Sequence, residues 1–594
     1  MLASWLGLAL GPACGGDDTA SSTQPPDPPA GQTVALLGDA EYLLRVSMAL
    51  RGIRPSAAEL DAYLADPNTL PATVDAWMTT PEFEATVQDL FAELLLLRTD
   101  TTFQLPVKGI LADKGYTQGD VYTSTTQAPL ELISSIVMAD EPYANVFTAD
   151  YTLTDAVVAD IYGLDYDFDL GGWQESHWTD GRPQSGLLSD SEVWRRWVSN
   201  AANYHRGRAN FISRTFLCED IGARDIAQPA LDLNDPALVA AAVADPAMGC
   251  PACHDTLDPL AAVFWGYKEQ LKRNAVETAY AAECTWDYSN GEPPRGVYKP
   301  EHFCYPLRFY DITEQGRWED EGLKPPAWYG KPVEDMTDLG IHLVADSRFD
   351  LCTARTVFAY LNQVERLDVP LDIALDLQAE FRASGQSLKT LFRSVVLSDH
   401  FRSVTRLDPE STDFVAGLLP IRPEQVDRSI VDLTGFTWVA NGDDAKCHEG
   451  VNLCWNTVNL SQSDLYGFRS LMGGVDGFTV THPTRGTTPT KVLALAKLAA
   501  EASGWVVDQD FALDPAERKL LTLVEATTAD EASIRAQLSA MHWRLYVEDV
   551  PPDSPAVDAS YALFTAVLAR TGDPTESWKT TLTGMLQDPR MLLY

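Results

Sequence analysis

From Asp39 onward apolar residues recur at helical spacing far more often than they alternate, so the pattern predicts a mainly α-helical chain. The stretch "RPSAAELDAYLADP" places Pro55 at a first helical position, with Ser56 and Glu59 as a capping box ahead of Leu60, Tyr63 and Leu64. Further on, "TTPEFEATVQDLFAELLLLR" repeats the device: Thr80 caps, Pro81 starts, and Phe83, Val87, Leu90, Phe91 and Leu94 fall on one face. A short phrase then recurs, in which an apolar helix is followed by a small or acidic residue and a large apolar one: "VDAWMTTPEF", "GIHLVADSRF", "FRSVVLSDHF" and "LTGMLQDPRM". A second echo links "LRGIRPSAAEL" with "LLPIRPEQVDRSIVDLTGF" at Leu418 to Phe436. The spacing is too irregular for a solenoid and predicts one helical unit used in both halves, with a new module starting near residue 405.

Two stretches break the helical pattern. Ala275 to Trp328 is rich in Pro, Gly, Tyr and Trp and holds two cysteines, which predicts a loop-rich, disulfide-stapled insertion. The start, "MLASWLGLALGPACGGDDTASSTQPPDPPAGQ", has an apolar run from Leu6 to Leu10, small residues, Cys14 and a polar tether. It resembles a bacterial lipoprotein signal, which implies export and lipidation at Cys14. The 594 residues are too many for one ordinary core. The expected organisation is a signal and tether at 1–33, a helical module at 34–185, a second module at 186–404 containing the insertion 275–328, and a C-terminal helical module at 405–594.

Charge narrows the functions. The chain has 44 basic and 85 acidic residues, a formal net charge of −41, so its surface repels nucleic acid and anionic lipid headgroups. No stretch reaches the roughly 18 to 20 apolar residues a membrane span requires, so membrane attachment is expected only through the lipid anchor. In an exported chain the cysteines meet an oxidising compartment. Setting aside Cys14, Cys250 and Cys253 leaves six of the nine: Cys218, Cys284, Cys304, Cys352, Cys447 and Cys454. Cys284 with Cys304 and Cys447 with Cys454 would close short loops, and Cys218 with Cys352 follows by elimination, although sequence alone leaves the connectivity open.

The sharpest chemistry lies in "MGCPACHDTLDPLAAVFWGYKE", Met248 to Glu269. With nine Cys and nine His in the chain, chance would supply roughly 0.002 Cys-x-x-Cys-His patterns, so composition does not account for it. Covalent haem c attachment requires this spacing. Two thiols two residues apart reach the two vinyl groups of one porphyrin edge, and the adjacent imidazole becomes an axial ligand. Cys250 and Cys253 would form the thioethers and His254 would bind the iron. Structural zinc would want a second ligand pair, which the sequence lacks. A thioredoxin-like redox pair would follow a strand, whereas these surroundings are helical. A plain disulfide or a vestigial haem site is the third rival. Met336 and His342, in "VEDMTDLGIHLVADSRF", lie where a sixth haem ligand could come from, and both also suit ordinary helix packing.

The flanks of the motif carry a family resemblance. "CPACHDTLDPLAAVFWGYKE" resembles the CxxCH-(x)2-(I/L)-D-P-x-G-F-(x)3-(F/Y) signature of the planctomycete-type cytochrome-c-like domain proteins, large secreted bacterial proteins of unknown function. Leu257, Asp258, Pro259, Phe264 and Tyr267 occupy pattern positions; Ala261 and Ala262 stand in place of Gly-Phe, and Trp265 in place of an acidic residue. "TADYTLTDAVVADIYGL", "SGLLSDSEVW" and "HRGRANFISRTFLCEDI" are similar to the segments that precede the motif in that family, and "RGTTPTKVLALAKLAAEA" to one that follows. The resemblance implies an exported, mostly helical, multi-module protein with a cytochrome-c-like site.

Other signatures add little. The chain has no G-x-S-x-G, H-E-x-x-H, P-loop or G-x-G-x-x-G pattern. "DYDFDLGG" at Asp165 to Gly172 alternates acids as a calcium loop does but lacks the closing glutamate, and solvated surface is the expected use. His448 in "KCHEGVNLCW" is expected on a disulfide-closed loop. The 15 tryptophans and 21 tyrosines could line a carbohydrate groove, with core packing the simpler use. The function expected is an exported c-type haem protein, periplasmic or tethered at the outer membrane, acting in electron transfer or an oxidative reaction with a redox partner protein or small-molecule substrate. The alternative is a haem-free cell-surface binding or structural lipoprotein whose motif cysteines are disulfide-bonded.

Overall fold

The computed structural model describes residues 33–98, 105, 107, 109–199, 203–225, 232, 235–245, 247–268, 305–307, 309–441 and 457–594. Of these, 56% are helical, in 23 α-helices, which bears out a mainly α chain. Strands among the described residues are short and pair two by two, all antiparallel. Val34–Leu36 pairs with Ser403–Arg406, Thr152–Thr154 with Gln174–Ser176, Ala327–Trp328 with Lys331–Pro332, and Val439–Asn441 with Thr457–Asn459. No described helix is long and apolar enough to cross a membrane. Cys14, Cys284, Cys304, Cys447 and Cys454, with His448, lie outside the described residues.

The capping box forms as the sequence predicts. Ser56 accepts from the Glu59 amide at 3.2 Å while Glu59 accepts from the Ser56 amide at 2.7 Å, and the helix Ala57–Ala65 follows. Pro55 is corrected by one place: it precedes the cap instead of opening the helix, because Ser56 takes the extended backbone a cap needs. Leu60 and Tyr63 are buried, whereas Leu64 points to solvent at 42% exposure, off the apolar stripe. The helix Pro81–Leu95 starts after Thr80 as expected, but the Thr80 hydroxyl donates back to Trp77 O at 3.0 Å and makes no cap bond.

The recurring phrase is a helix end, a tight turn and a new helix pinned by one large apolar side chain. Asp346 caps through the Arg348 amide at 3.0 Å, Ser398 through the Phe401 amide at 3.2 Å, and Asp588 through the Arg590 amide at 2.9 Å. Phe83, Phe349, Phe401 and Met591, the last residues of the four phrases, are all buried. A polar cap followed at once by a buried anchor satisfies the open amides and removes apolar surface from water in the same turn.

The buried apolar residues form one continuous cluster that runs from Tyr42 to Tyr594. Long-range polar bonds tie its ends together. Arg45, fully buried on the helix Asp39–Arg51, donates to Phe401 O at 2.8 Å and Tyr594 O at 3.3 Å. Arg54 donates to Leu545 O and to Ser429 Oγ, each at 2.6 Å, so the two "IRP" echoes of the sequence meet in space. Leu419 and Tyr594 exchange backbone bonds at 2.9 Å. A buried guanidinium offers five donors in a rigid fork, enough to collect carbonyls from several chain ends at once.

Cys218 and Cys352 are joined by a disulfide across 134 residues, the pairing reached by elimination. It links the end of the helix Arg206–Phe216 to the helix Ser347–Asn362. The helix Pro251–Ala262 packs on the first of these and on the Ala327–Trp328 strand, which places the Cys-x-x-Cys-His at the edge of the cluster.

Candidate functional site

The motif occupies the first turn of the helix Pro251–Ala262, with Cys250 at its N-cap position and Pro251 opening it. Helical backbone at Cys250, φ −56° and ψ −41°, puts Cys250, Cys253 and His254 on one face, one turn apart. Further along, Leu257, Leu260 and Phe264 are buried and anchor the segment, while both cysteines and His254 stay half-buried at the surface. Cys250 and Cys253 are free thiols. The turn is braced from outside: Cys253 Sγ lies 3.3 Å from Ile221 O, and Arg224 Nη1 donates to Ala252 O at 2.5 Å.

One helical turn after the histidine stands Asp258. His254 Nδ1 lies 3.1 Å from Asp258 Oδ1, and Arg206 Nε donates to the same oxygen at 2.5 Å. Burial alone would raise the Asp258 carboxyl, but hydrogen bonds from His254 and Arg206, with the Arg206 charge, outweigh it and hold its pKa below the usual range. An ionised carboxylate only accepts, so the hydrogen it meets sits on Nδ1, and in the neutral ring Nε2 is then the nitrogen that carries the lone pair. A ring locked in this way is the arrangement metal-bound histidines show, with the second nitrogen's N–H held by a carboxylate.

The wall behind the helix comes from segments that precede the motif in the chain. "SGLLSDSEVW" forms the turn Gly186–Ser189 and the helix Ser191–Arg196. Gly186 has φ +48°, and a Cβ there would overlap the Val146 carbonyl oxygen, so only glycine suits the turn. "HRGRANF" opens the helix Arg206–Phe216; its Arg208 donates to Trp194 O at 3.0 Å and Lys268 O at 2.7 Å, which fixes the far end of the motif segment. His205 is buried, and burial followed by the Arg208 charge pushes its pKa well down. Its neutral ring accepts from Arg208 Nη1 at 3.1 Å. Trp265 packs edge-on against His205 with centroids 5.5 Å apart. Its indole nitrogen is buried with no acceptor among the described residues.

Of the residues singled out from sequence, Cys250, Cys253 and His254 come together on one turn. Met336 and His342 lie on the helix Met336–Val344, which shares the Ala327–Trp328 strand as a neighbour with the motif helix. Met336 is buried in the core, and His342 faces Asp338 across 3.8 Å. At "DYDFDLGG", Asp167 Oδ1 accepts from the Asp169 amide at 3.0 Å and shapes a turn. Among the described residues no three His, Cys, Asp or Glu side chains gather as a metal-holding group. A covalent haem needs no such group, since the thiols bind the porphyrin and one imidazole meets the iron. The donor set therefore suits that cofactor. Sequence reading missed the roles of Arg206 and Arg224; the signal for the first was an acid four residues after the histidine, which needs a cation once buried. The chain matches no known family model, no curated protein and no solved structure.

Proposed function

We propose that this chain is an exported c-type haem protein whose cytochrome-c-like region attaches the cofactor through Cys250 and Cys253 and binds its iron through His254. The observation that carries this reading is the relay from Arg206 through Asp258 to His254, which frees Nε2 as a ligand one helical position from a free thiol and four from the other. When bound, the haem supplies one-electron chemistry, for electron transfer or an oxidative reaction at the cell envelope with a redox partner protein or small-molecule substrate. The residues of this chain do the positioning. Arg206 keeps Asp258 ionised, Asp258 holds the Nδ1 proton and the ring plane, and Arg224 with Ile221 O fixes the turn that presents the thiols. The acidic surface favours a basic docking partner and excludes nucleic acid. Lipidation at Cys14 would tether the protein to the membrane.

The test is protein made alongside a cytochrome c maturation system, then denatured, run on a gel and stained for haem, with a pyridine haemochrome spectrum. Covalent haem is expected, and Cys253→Ser should weaken or abolish its attachment. Asp258→Asn should leave both thioethers intact yet let added imidazole displace His254 about tenfold more readily. A denatured chain without haem overturns the reading and leaves the haem-free surface lipoprotein in its place.

A further inference from the structure

A cleft of about 310 Å³ shares no residue with the motif helix. Its walls come from six separate parts of the chain, and five arginines line it: Arg196, Arg214, Arg366, Arg422 and Arg485. Among the described residues of the lining the carboxylates are Glu93 and Glu365, a formal excess of three positive charges there in a chain whose net charge is −41. An acidic protein gathers cations in one hollow only if packing holds them there, because each cation costs desolvation and repels the next.

The partners of these arginines show which charges are already answered. Arg422 pairs with Glu93, and Arg485 pairs with Glu365 at 2.6 Å on the exposed rim. Arg366 uses backbone oxygens, donating to Thr215 O at 2.8 Å and Arg214 O at 3.1 Å, and it lies against both sulfurs of the disulfide. Arg196 donates to Leu96 O at 2.8 Å. Arg214 rests over the Trp197 ring, its Cζ 5.4 Å from the centroid, and has no carboxylate partner among the described residues. Burial is the main cause that brings Arg196 and Arg366 down to about 10; the Arg214 charge acts in the same direction on both, while Asp476 at Arg196 and Glu365 at Arg366 pull the other way.

We infer that this cleft binds a small organic anion, one carboxylate or phosphate group on an apolar body. The guanidinium forks match the two oxygens of such a group, and Trp197, Leu90 and Leu94 offer the apolar wall. The volume sits at the small end of ligand sites, which suits a single ring or short chain and excludes a polymer. The cleft is assembled by the same packing that forms the disulfide, since Arg366 touches both.

The experiment titrates the full chain by calorimetry with phenyl phosphate, phthalate, inorganic phosphate and neutral benzamide. Saturable binding of phenyl phosphate or phthalate at sub-millimolar affinity is expected, weakened by salt, with benzamide silent; which anion binds tighter separates a phosphate site from a carboxylate site. Arg214→Gln should weaken the better ligand about tenfold or more. Glu365→Gln, an exposed change that removes a competing carboxylate, should tighten it. No saturable binding of any anion overturns the inference. So does benzamide binding as well as the anions, or an affinity that neither variant moves.

Discussion

Asp190 offers a quantitative test of how this fold handles buried acid. It caps the helix Ser191–Arg196 by accepting from the Glu192 amide at 2.7 Å, and its residue is 2% exposed. Burial, reinforced by the Glu192 carboxylate, pushes its pKa up to about 7 from an ordinary 3.8, against the pull of backbone amides and Arg182. The folded state therefore holds this proton more tightly than the unfolded chain. The stability it contributes is fully present below about pH 3.8 and is lost as the pH rises through about 7. A shift of about three units at 1.36 kcal/mol each makes the swing roughly 4 kcal/mol. Asp190→Asn keeps the capping oxygen and removes the charge, so it should match the wild type near pH 4 and be more stable by about 2–4 kcal/mol at pH 8. Chemical denaturation of both proteins at both pH values measures the double difference, in which the titration of the other acids cancels. A variant that is equally shifted at the two pH values, or less stable at pH 8, refutes the reasoning.

Two further outcomes rest on the same physical grounds. Opening the Cys218–Cys352 bridge by a paired Ser substitution releases a loop of 134 residues, worth about 5 kcal/mol in the chain-entropy account, and the denaturation midpoint should fall accordingly; an unchanged midpoint would show that the core alone holds these helices. Gly186→Ala forces a Cβ into the Val146 carbonyl at a left-handed backbone position, and should cost about 2–3 kcal/mol with a matching drop in melting temperature, whereas the open, equally left-handed Gly435 should cost less.

Local devices were legible in the sequence because their partners lie within one helical turn. The Ser56–Glu59 box, the cap-and-anchor phrase ending at Phe349, Phe401 and Met591, and the shared face of Cys250, Cys253 and His254 all follow from spacing and residue type. Even there the chain context adjusted details, placing Pro55 before the cap and turning the Thr80 hydroxyl backward.

What lies farther apart was decided by tertiary packing. Asp258 was visible as a pattern position, but its service to His254 depends on Arg206, 52 residues away, arriving at the same oxygen. The Cys218–Cys352 pairing could be reached by elimination, yet only the docking of two distant helices brings the sulfurs together. The arginine cleft has no signature within any one stretch, because six segments contribute to it. Composition showed an acidic chain; the fold concentrates positive charge where packing pays the desolvation cost. Sequence alone thus determined the helices, their ends and the one-turn motif, since backbone geometry fixes neighbours at short range, while long-range packing determined which charges and thiols meet.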